Sequence, residues 1–354
     1  MLIFISIIGI GFLILVHELG HFLAAKAFGM RAEKFYIGFP PAVVKKRIGE
    51  TEYGIGFIPL GGYVKISGMT REEEIPEELK SRAYWAKPVW QRIITISAGP
   101  AMNLLLAGLF FFIFFYMALP DYRSTNTIDT VQAGSGAEAA GIRPGDRLLE
   151  VDGAGNGDPA ELRAELRSHP GQIVTLRVER DGQTLNMPAS VGINEETSEG
   201  RLGIAFDAEL AGTRSMPATE ALRHTVSDTA FIVKEVFVAI KNLFVQEEAR
   251  QEITSPIGIV AVSSETISLG WGVYIRVLGF ISLQLAIFNL LPLLPLDGGH
   301  VLFNIIEKVR GKPIRKEVFE KVSVVGLALF ATLFLMGVMN DIQRLMGPGF
   351  GIER

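Results

Sequence analysis

The sequence of 354 residues contains no cysteine. Disulfides and thiolate metal ligands are thereby excluded, and any metal site has to be drawn from imidazole and carboxylate groups. Imidazoles are scarce as well, with only His17, His21, His169, His224 and His300 available. No Lys or Arg precedes Lys26, so the apolar N-terminal segment lacks the basic start of a secretory signal and is expected to stay in place as a membrane span. Basic tracts are missing too, and with a net charge of −4 nothing favours a nucleic-acid partner. What the chain has instead is apolar mass: 49% of its residues are hydrophobic against 20% charged, and the mean hydropathy is +0.32. That balance is too apolar for an ordinary soluble protein, and it leaves room for a membrane part and one soluble domain.

The first apolar run, Leu2 to Val16, carries no charge, yet it leads directly into His17-Glu18-Leu19-Gly20-His21 before Phe22, Leu23, Ala24 and Ala25 resume it. Ionisable groups inside a membrane segment are costly enough that they mark function. Histidines at i and i+4 on a helix lie about 40° apart and about 6 Å along the axis, so both rings can reach one ion. Glu18 is poorly placed to ligate beside them and well placed to act on a water bound there. This is the His-Glu-x-x-His pattern of metallopeptidases, in which Zn2+ acidifies its water and the glutamate takes the proton.

Residues 28–92 carry many basic groups close to the spans and are expected on the cytosolic side, with the N-terminus outside. Within them, Ala42–Ile48 and Thr51–Phe57 read as two strands joined at Gly49-Glu50, followed by the glycine-rich apolar stretch Gly56 to Tyr63. A re-entrant hairpin lining a polar cavity fits this pattern, because irregular backbone is tolerated at membrane depth only in such a place. Gly54, Ile55, Gly56 and Phe57 are its candidate substrate-pairing residues. Residues 93–119 are uncharged and long enough to form a second span. Asn103 lies in it, a buried amide that would either tie helices together or touch substrate.

Residues 121–270 hold 13 Lys or Arg against 23 Asp or Glu and are expected outside, after an even number of spans. Inside them, 127–208 reads as one compact domain: strand 128–132, a short helix 137–140, strand 148–151, helix 159–169, and strands 173–179, 184–188 and 202–206. The small-residue turn at Ala133 to Gly136, Ala140-Gly141-Ile142-Arg143-Pro144-Gly145-Asp146 and Val151-Asp152-Gly153 resemble a PDZ domain. Leu202, Gly203 and Ile204 then resemble its peptide-binding loop and strand, placed last as in the circularly permuted bacterial form. Residues 209–272 follow as an amphipathic juxtamembrane region, in which Ala221, Val226, Phe231, Val236, Ile240 and Phe244 recur at helical spacing. His169 and His224 read as ordinary surface histidines.

A third span is expected over 273–297 and a fourth over 322–340, joined by a basic loop, 298–321, that places the connection in the cytosol; 341–354 form the tail. Asn289 and Asp297 fall at the cytosolic end of the third span, the depth at which His17 and His21 end the first. Asp297 would supply a carboxylate ligand and leave a position for water. His300 competes with it, since Pro292 and Pro295 break the helix and spacing does not choose between the two.

Taken together, His17 to His21, Gly56 to Gly62, Gly99-Pro100-Ala101-Met102-Asn103, the single PDZ-like domain and Asn289 to Gly298 resemble the site-2 protease family, above all its bacterial regulator-of-sigma-E members. The resemblance implies intramembrane cleavage of single-span membrane proteins, such as anti-sigma factors or remnant signal peptides, in regulated intramembrane proteolysis in a bacterial inner membrane. It implies His17, His21 and Asp297 as zinc ligands, Glu18 as general base, and Asn103 and Asn289 as substrate-holding groups. It also implies peptide termini as partners of the outside domain. The expected fold class is a multi-pass α-helical membrane protein with four transmembrane helices, a membrane-associated β-hairpin and one extracytoplasmic α/β PDZ domain. A peptide-binding membrane adaptor with an inactive protease site, or a metal transporter, would be the other classes. An intact Glu18 disfavours the first, and the large outside module disfavours the second.

Overall fold

A computed structural model describes every residue except 70–72, 118, 195–198 and 347–354. The chain forms two units, Met1–Leu119 with Ser215–Arg354, and Pro120–Arg214. Its elements in order are α1 (Leu2–Ala27), β1 (Ala32–Ile48), β2 (Thr51–Ile66), α2 (Val89–Met117), β3 (Leu119–Val131), α3 (Gly136–Ala139), β4 (Arg147–Val151) and α4 (Pro159–Ser168). There follow β5 (Ile173–Arg180), β6 (Gln183–Ser190), β7 (Gly192–Ile193), β8 (Gly200–Arg201), β9 (Ile204–Arg214), α5 (Ala218–Val245) and α6 (Glu247–Gln251), then α7 (Pro256–Ser268), α8 (Trp271–Asn289), α9 (Asp297–Arg310) and α10 (Lys316–Met346).

Four helices of the first unit, α1, α2, α8 and α10, are long and apolar enough to cross a membrane. The chain is a membrane protein on this ground. Helix α2 is the hub, packing against α1, α5, α8 and α9. Phe111, Phe114 and Phe115 of α2 meet Leu283 and Ile287 of α8 and Ala221 and Val236 of α5 in one buried cluster. The amphipathic stretch expected in the juxtamembrane region is α5, which packs against α2 and α8, while Val226 and Phe231 point away and are exposed.

The break after the third span comes earlier than expected. Helix α8 ends at Asn289, and Asp297 is the first residue of a new helix rather than the last of the old one. Pro292 and Pro295 account for this, since each removes a helical donor and restricts the residue before it. Most of the basic loop expected over 298–321 is likewise helical, as α9. This helix is fastened to α2 by a bidentate pair in which Arg92 donates to both oxygens of Glu307 at 3.0 and 3.2 Å. Asn304 beside it donates to the Tyr84 hydroxyl at 2.8 Å. The tail expected over 341–354 continues α10 to Met346; its remainder lies outside the described residues. At that end the buried Asp341 accepts from the backbone N–H groups of Ser255 and Gly258, capping α7 and anchoring α10.

The hairpin is longer than the sequence suggested and folds back on itself. Residues 34–37 run in step with 52–55 on one side and pair with 62–65 on the other, while 42–48 pair with 51–56 across the tight turn at Gly49-Glu50. Four short segments thus lie side by side, with 42–48 and 61–66 at the two edges. Ile37, Val43, Val44, Ile48, Ile55 and Phe57 expose apolar side chains.

The second unit is a five-stranded sheet in the order β6-β5-β4-β3-β9. Alternation along β5 buries Val174, Leu176 and Val178, the period-two signature of a sheet covered on one face. Leu162 and Leu166 of α4 join the same core as these residues. Asp158 starts α4 by accepting from the N–H groups of Ala160 and Glu161, with Pro159 in the first turn where no donor is needed.

At the hairpin turn, Glu50 takes hydrogen bonds from Arg82 and Lys26, and these hold its carboxyl at about 2. A carboxyl depressed in the folded state stabilises above its ordinary value and loses that contribution as pH falls through the folded one. Thermal unfolding followed in detergent should therefore show Glu50→Gln less stable than the parent at pH 6, with the gap closing between pH 4.5 and 2. A gap unchanged at pH 2 would show that the charge of Glu50 plays no part.

Candidate metal centre

Helix α1 presents His17 and His21 one turn apart, and both rings are buried. The break after α8 turns the chain so that Asp297, at the head of α9, meets them. His17 Nε2 lies 3.1 Å from Asp297 Oδ2 and 3.1 Å from His21 Nε2, and His21 Nε2 lies 3.3 Å from Asp297 Oδ2. Among the described residues these three form the group that could hold a metal ion. His300, the competing candidate, lies outside it, with its ring against Phe319.

The donor set fits zinc. Ligand atoms about 2.0–2.1 Å from a tetrahedral zinc stand about 3.3–3.4 Å apart, close to the three separations found. The protonation pattern agrees. His21 Nδ1 lies 2.9 Å from the Thr95 carbonyl, which can only accept, so Nδ1 carries the proton and the neutral ring turns a bare Nε2 lone pair toward the cluster.

Helix α2 backs the histidines from the other side. Thr95, Gly99 and Asn103 follow one another in steps of four along one face, with Thr95 and Gly99 against His21 and Asn103 against His17. A Cβ added at Gly99 would lie 2.3 Å from His21 Nε2, so only glycine leaves room for the ring. Glu18 is held on the opposite flank by the hairpin edge. The Val64 N–H donates to its carboxylate, and a Cβ at Gly62 would fall 2.4 Å from its Cγ.

The other expected site residues have varied placements. Asn103 is fully buried with its amide nitrogen 3.3 Å from His17 Nδ1. Asn289 ends α8 and donates to the Leu285 carbonyl one turn back. Gly54 and Ile55 lie inside the sheet, Gly54 between Tyr36 and Lys45 and Ile55 between Ile37 and Val44. A strand paired on both sides accepts no third partner, which corrects the expectation of a pairing edge there. Gly56 pairs with Ala42, and Phe57 is exposed. In the second unit Leu202, Gly203 and Ile204 line a groove of about 380 Å³ with Arg163, Leu166 and Phe206. Sequence reasoning missed Thr95, Gly62 and the Arg92–Glu307 pair. The four-residue steps from Thr95 through Gly99 to Asn103 were the readable signal for the first.

A family model described as peptidase family M50 matches residues 5–333. A protein of Clostridium perfringens (strain 13 / Type A) is 31% identical over 343 residues, covering 97% of this chain and 98% of its own length. One from Brucella suis biovar 1 is 32% identical over 351 residues, with 91% and 92% covered. One from Campylobacter jejuni is 28% identical over 350, with 97% and 93% covered. Each is named a "putative zinc metalloprotease".

The Gly99 contact makes a direct prediction. Gly99→Ala should lower zinc affinity on the order of 10- to 100-fold, the scale of an overpacking cost of about 1–3 kcal/mol. Gly108→Ala on the same helix, where a Cβ meets nothing within 4 Å, should leave it unchanged. Chelator competition on the purified proteins measures both; equal affinities would refute the contact.

Proposed function

As the chain belongs to peptidase family M50 and is a zinc metalloprotease, we propose that it is an intramembrane endopeptidase that cuts single-span membrane proteins within regulated intramembrane proteolysis. The observation that carries this reading is the meeting of His17, His21 and Asp297 between helices long enough to span a bilayer, with Glu18 alongside.

His17, His21 and Asp297 would hold the ion, which when bound supplies a Lewis acid that acidifies water and polarises a peptide carbonyl. Glu18 takes the proton of the attacking water on a carboxylate oxygen and passes it to the departing amine. The Val64 N–H and the bare Cα of Gly62 fix where that carboxylate stands. A substrate helix has its backbone groups engaged internally, so the scissile segment must unwind and find replacement partners. The edge 61–66 is suited to this, because it lies against Glu18. Val64 points its N–H outward to Glu18, so by strand alternation Gly62 also points its backbone groups outward. We assign substrate pairing to this edge. The second unit serves as an extracytoplasmic PDZ-like domain whose groove between α4 and residues 200–204 receives peptide termini, with the N-terminus of the chain also outside an inner membrane.

Two outcomes test the reading. Glu18→Gln should retain zinc and lose cleavage of a model single-span substrate by on the order of 10²- to 10⁴-fold, the range of a general base; cleavage at the parent rate would remove Glu18 from that role. Because the chain has no native thiol, single cysteines report the edge cleanly. In the Glu18→Gln background, Tyr63→Cys should form a disulfide with a cysteine in the unwound segment of the substrate, and Val44→Cys on the far edge should not. The reverse pattern would move the substrate to 42–48.

A further inference from the structure

We propose that Asn103 is the positioning residue of His17: its side-chain oxygen accepts the proton on His17 Nδ1, which leaves His17 Nε2 bare toward His21 and Asp297. The inference rests on the zinc centre read above and departs from the expectation that Asn103 holds substrate.

Asn103 is fully buried on α2, and its backbone carbonyl accepts from the Ser282 hydroxyl of α8 at 2.8 Å, so the residue is fixed between two helices. One end of its amide lies 3.3 Å from His17 Nδ1, while Oδ1 is buried and has no hydrogen-bond partner. The nitrogen and oxygen ends of an amide have the same shape, and which end faces a neighbour follows from the bonds it satisfies. With Nδ2 toward the ring, Nδ1 has to accept, the proton of the neutral ring sits on Nε2, and that nitrogen is closed to a metal. Rotating the amide by half a turn places Oδ1 against Nδ1. The orphaned oxygen gains its donor, and Nε2 becomes a ligand.

The two histidines are then held alike, each donating Nδ1–H to an oxygen of α2, His21 to the Thr95 carbonyl and His17 to the Asn103 amide. The difference between the two acceptors is informative. A backbone carbonyl only accepts, so His21 is held in one tautomer whether or not a metal is bound. An amide offers a donor or an acceptor, so Asn103 also satisfies the metal-free ring, whose Nε2–H then reaches Asp297 Oδ2 at 3.1 Å. Loading the metal and turning the amide are one event.

The test is zinc affinity of the full chain in detergent, by competition with a chromophoric chelator, beside steady-state cleavage. Asn103→Leu, which has neither donor nor acceptor, should bind zinc about 10- to 100-fold more weakly, the usual effect of losing a partner behind a histidine ligand. Asn103→Asp keeps an acceptor and should bind close to the parent. Should Asn103→Leu fail to insert, Asn103→Ala takes its place. Parent-like zinc affinity in the leucine or alanine protein, with only kcat reduced, would return Asn103 to the substrate and overturn the proposal; so would equal losses in the aspartate and leucine proteins. The two readings separate in the same experiment, because a parent protein that holds zinc and cuts no membrane substrate refutes the peptidase assignment without touching the affinity comparison.

Discussion

Three polar groups have to converge inside an apolar helix bundle, and that requirement organises most of the first unit. Burying an imidazole or a carboxylate there is unfavourable unless its remaining hydrogen-bonding positions are filled. Helix α2 fills them. It supplies the Thr95 carbonyl behind one histidine and the Asn103 amide behind the other, with a glycine between so that the His21 ring fits. The Arg92–Glu307 pair fastens α9, and with it Asp297, to the same helix. Arg92 is buried and Glu307 half-buried, so losing one partner leaves the other's charge without its counterpart, and Asp297 is held in place although a loop precedes it.

The zinc centre also explains the position of the hairpin. A general base must be held without ligating, and Glu18 is held by a strand rather than by another side chain. A backbone N–H has no rotamers and no alternative protonation state, so the carboxylate proposed as base is held by a donor-only contact. The same strand edge is the one assigned to substrate. Substrate pairing and base orientation are therefore properties of one short stretch, 61–66, and a change in either affects the other.

How much of this could be read from the residues depends on the range of the interaction involved. His17, Glu18 and His21 were legible because their relation is local, one helical turn, in a segment with no other reason to carry charge. The elements of the second unit were legible because glycine turns and alternating apolar positions are local too. Spacing left Asp297 open against His300, and only the resemblance to the family assigned it. The choice depends on how residues 290–296 turn after Pro292, and that path is set by packing at a distance. The sheet was misread at Gly54 and Ile55 for the same reason: two strands and a tight turn were recognised, whereas the second partner of 51–56 is 34–37, across a separation of 18 residues. Thr95 left only its four-residue spacing from Gly99 and Asn103, because its contribution is a carbonyl that every residue possesses.

His17 and Asp297 are separated by 280 positions, and this distance bears on how the protein is made. A chain leaves the ribosome from its N-terminus, and the first helix enters the bilayer while the third ligand has not yet been translated. Two imidazoles alone form an incomplete site. The three candidate ligands therefore come together only once α8 is in place and α9 has docked.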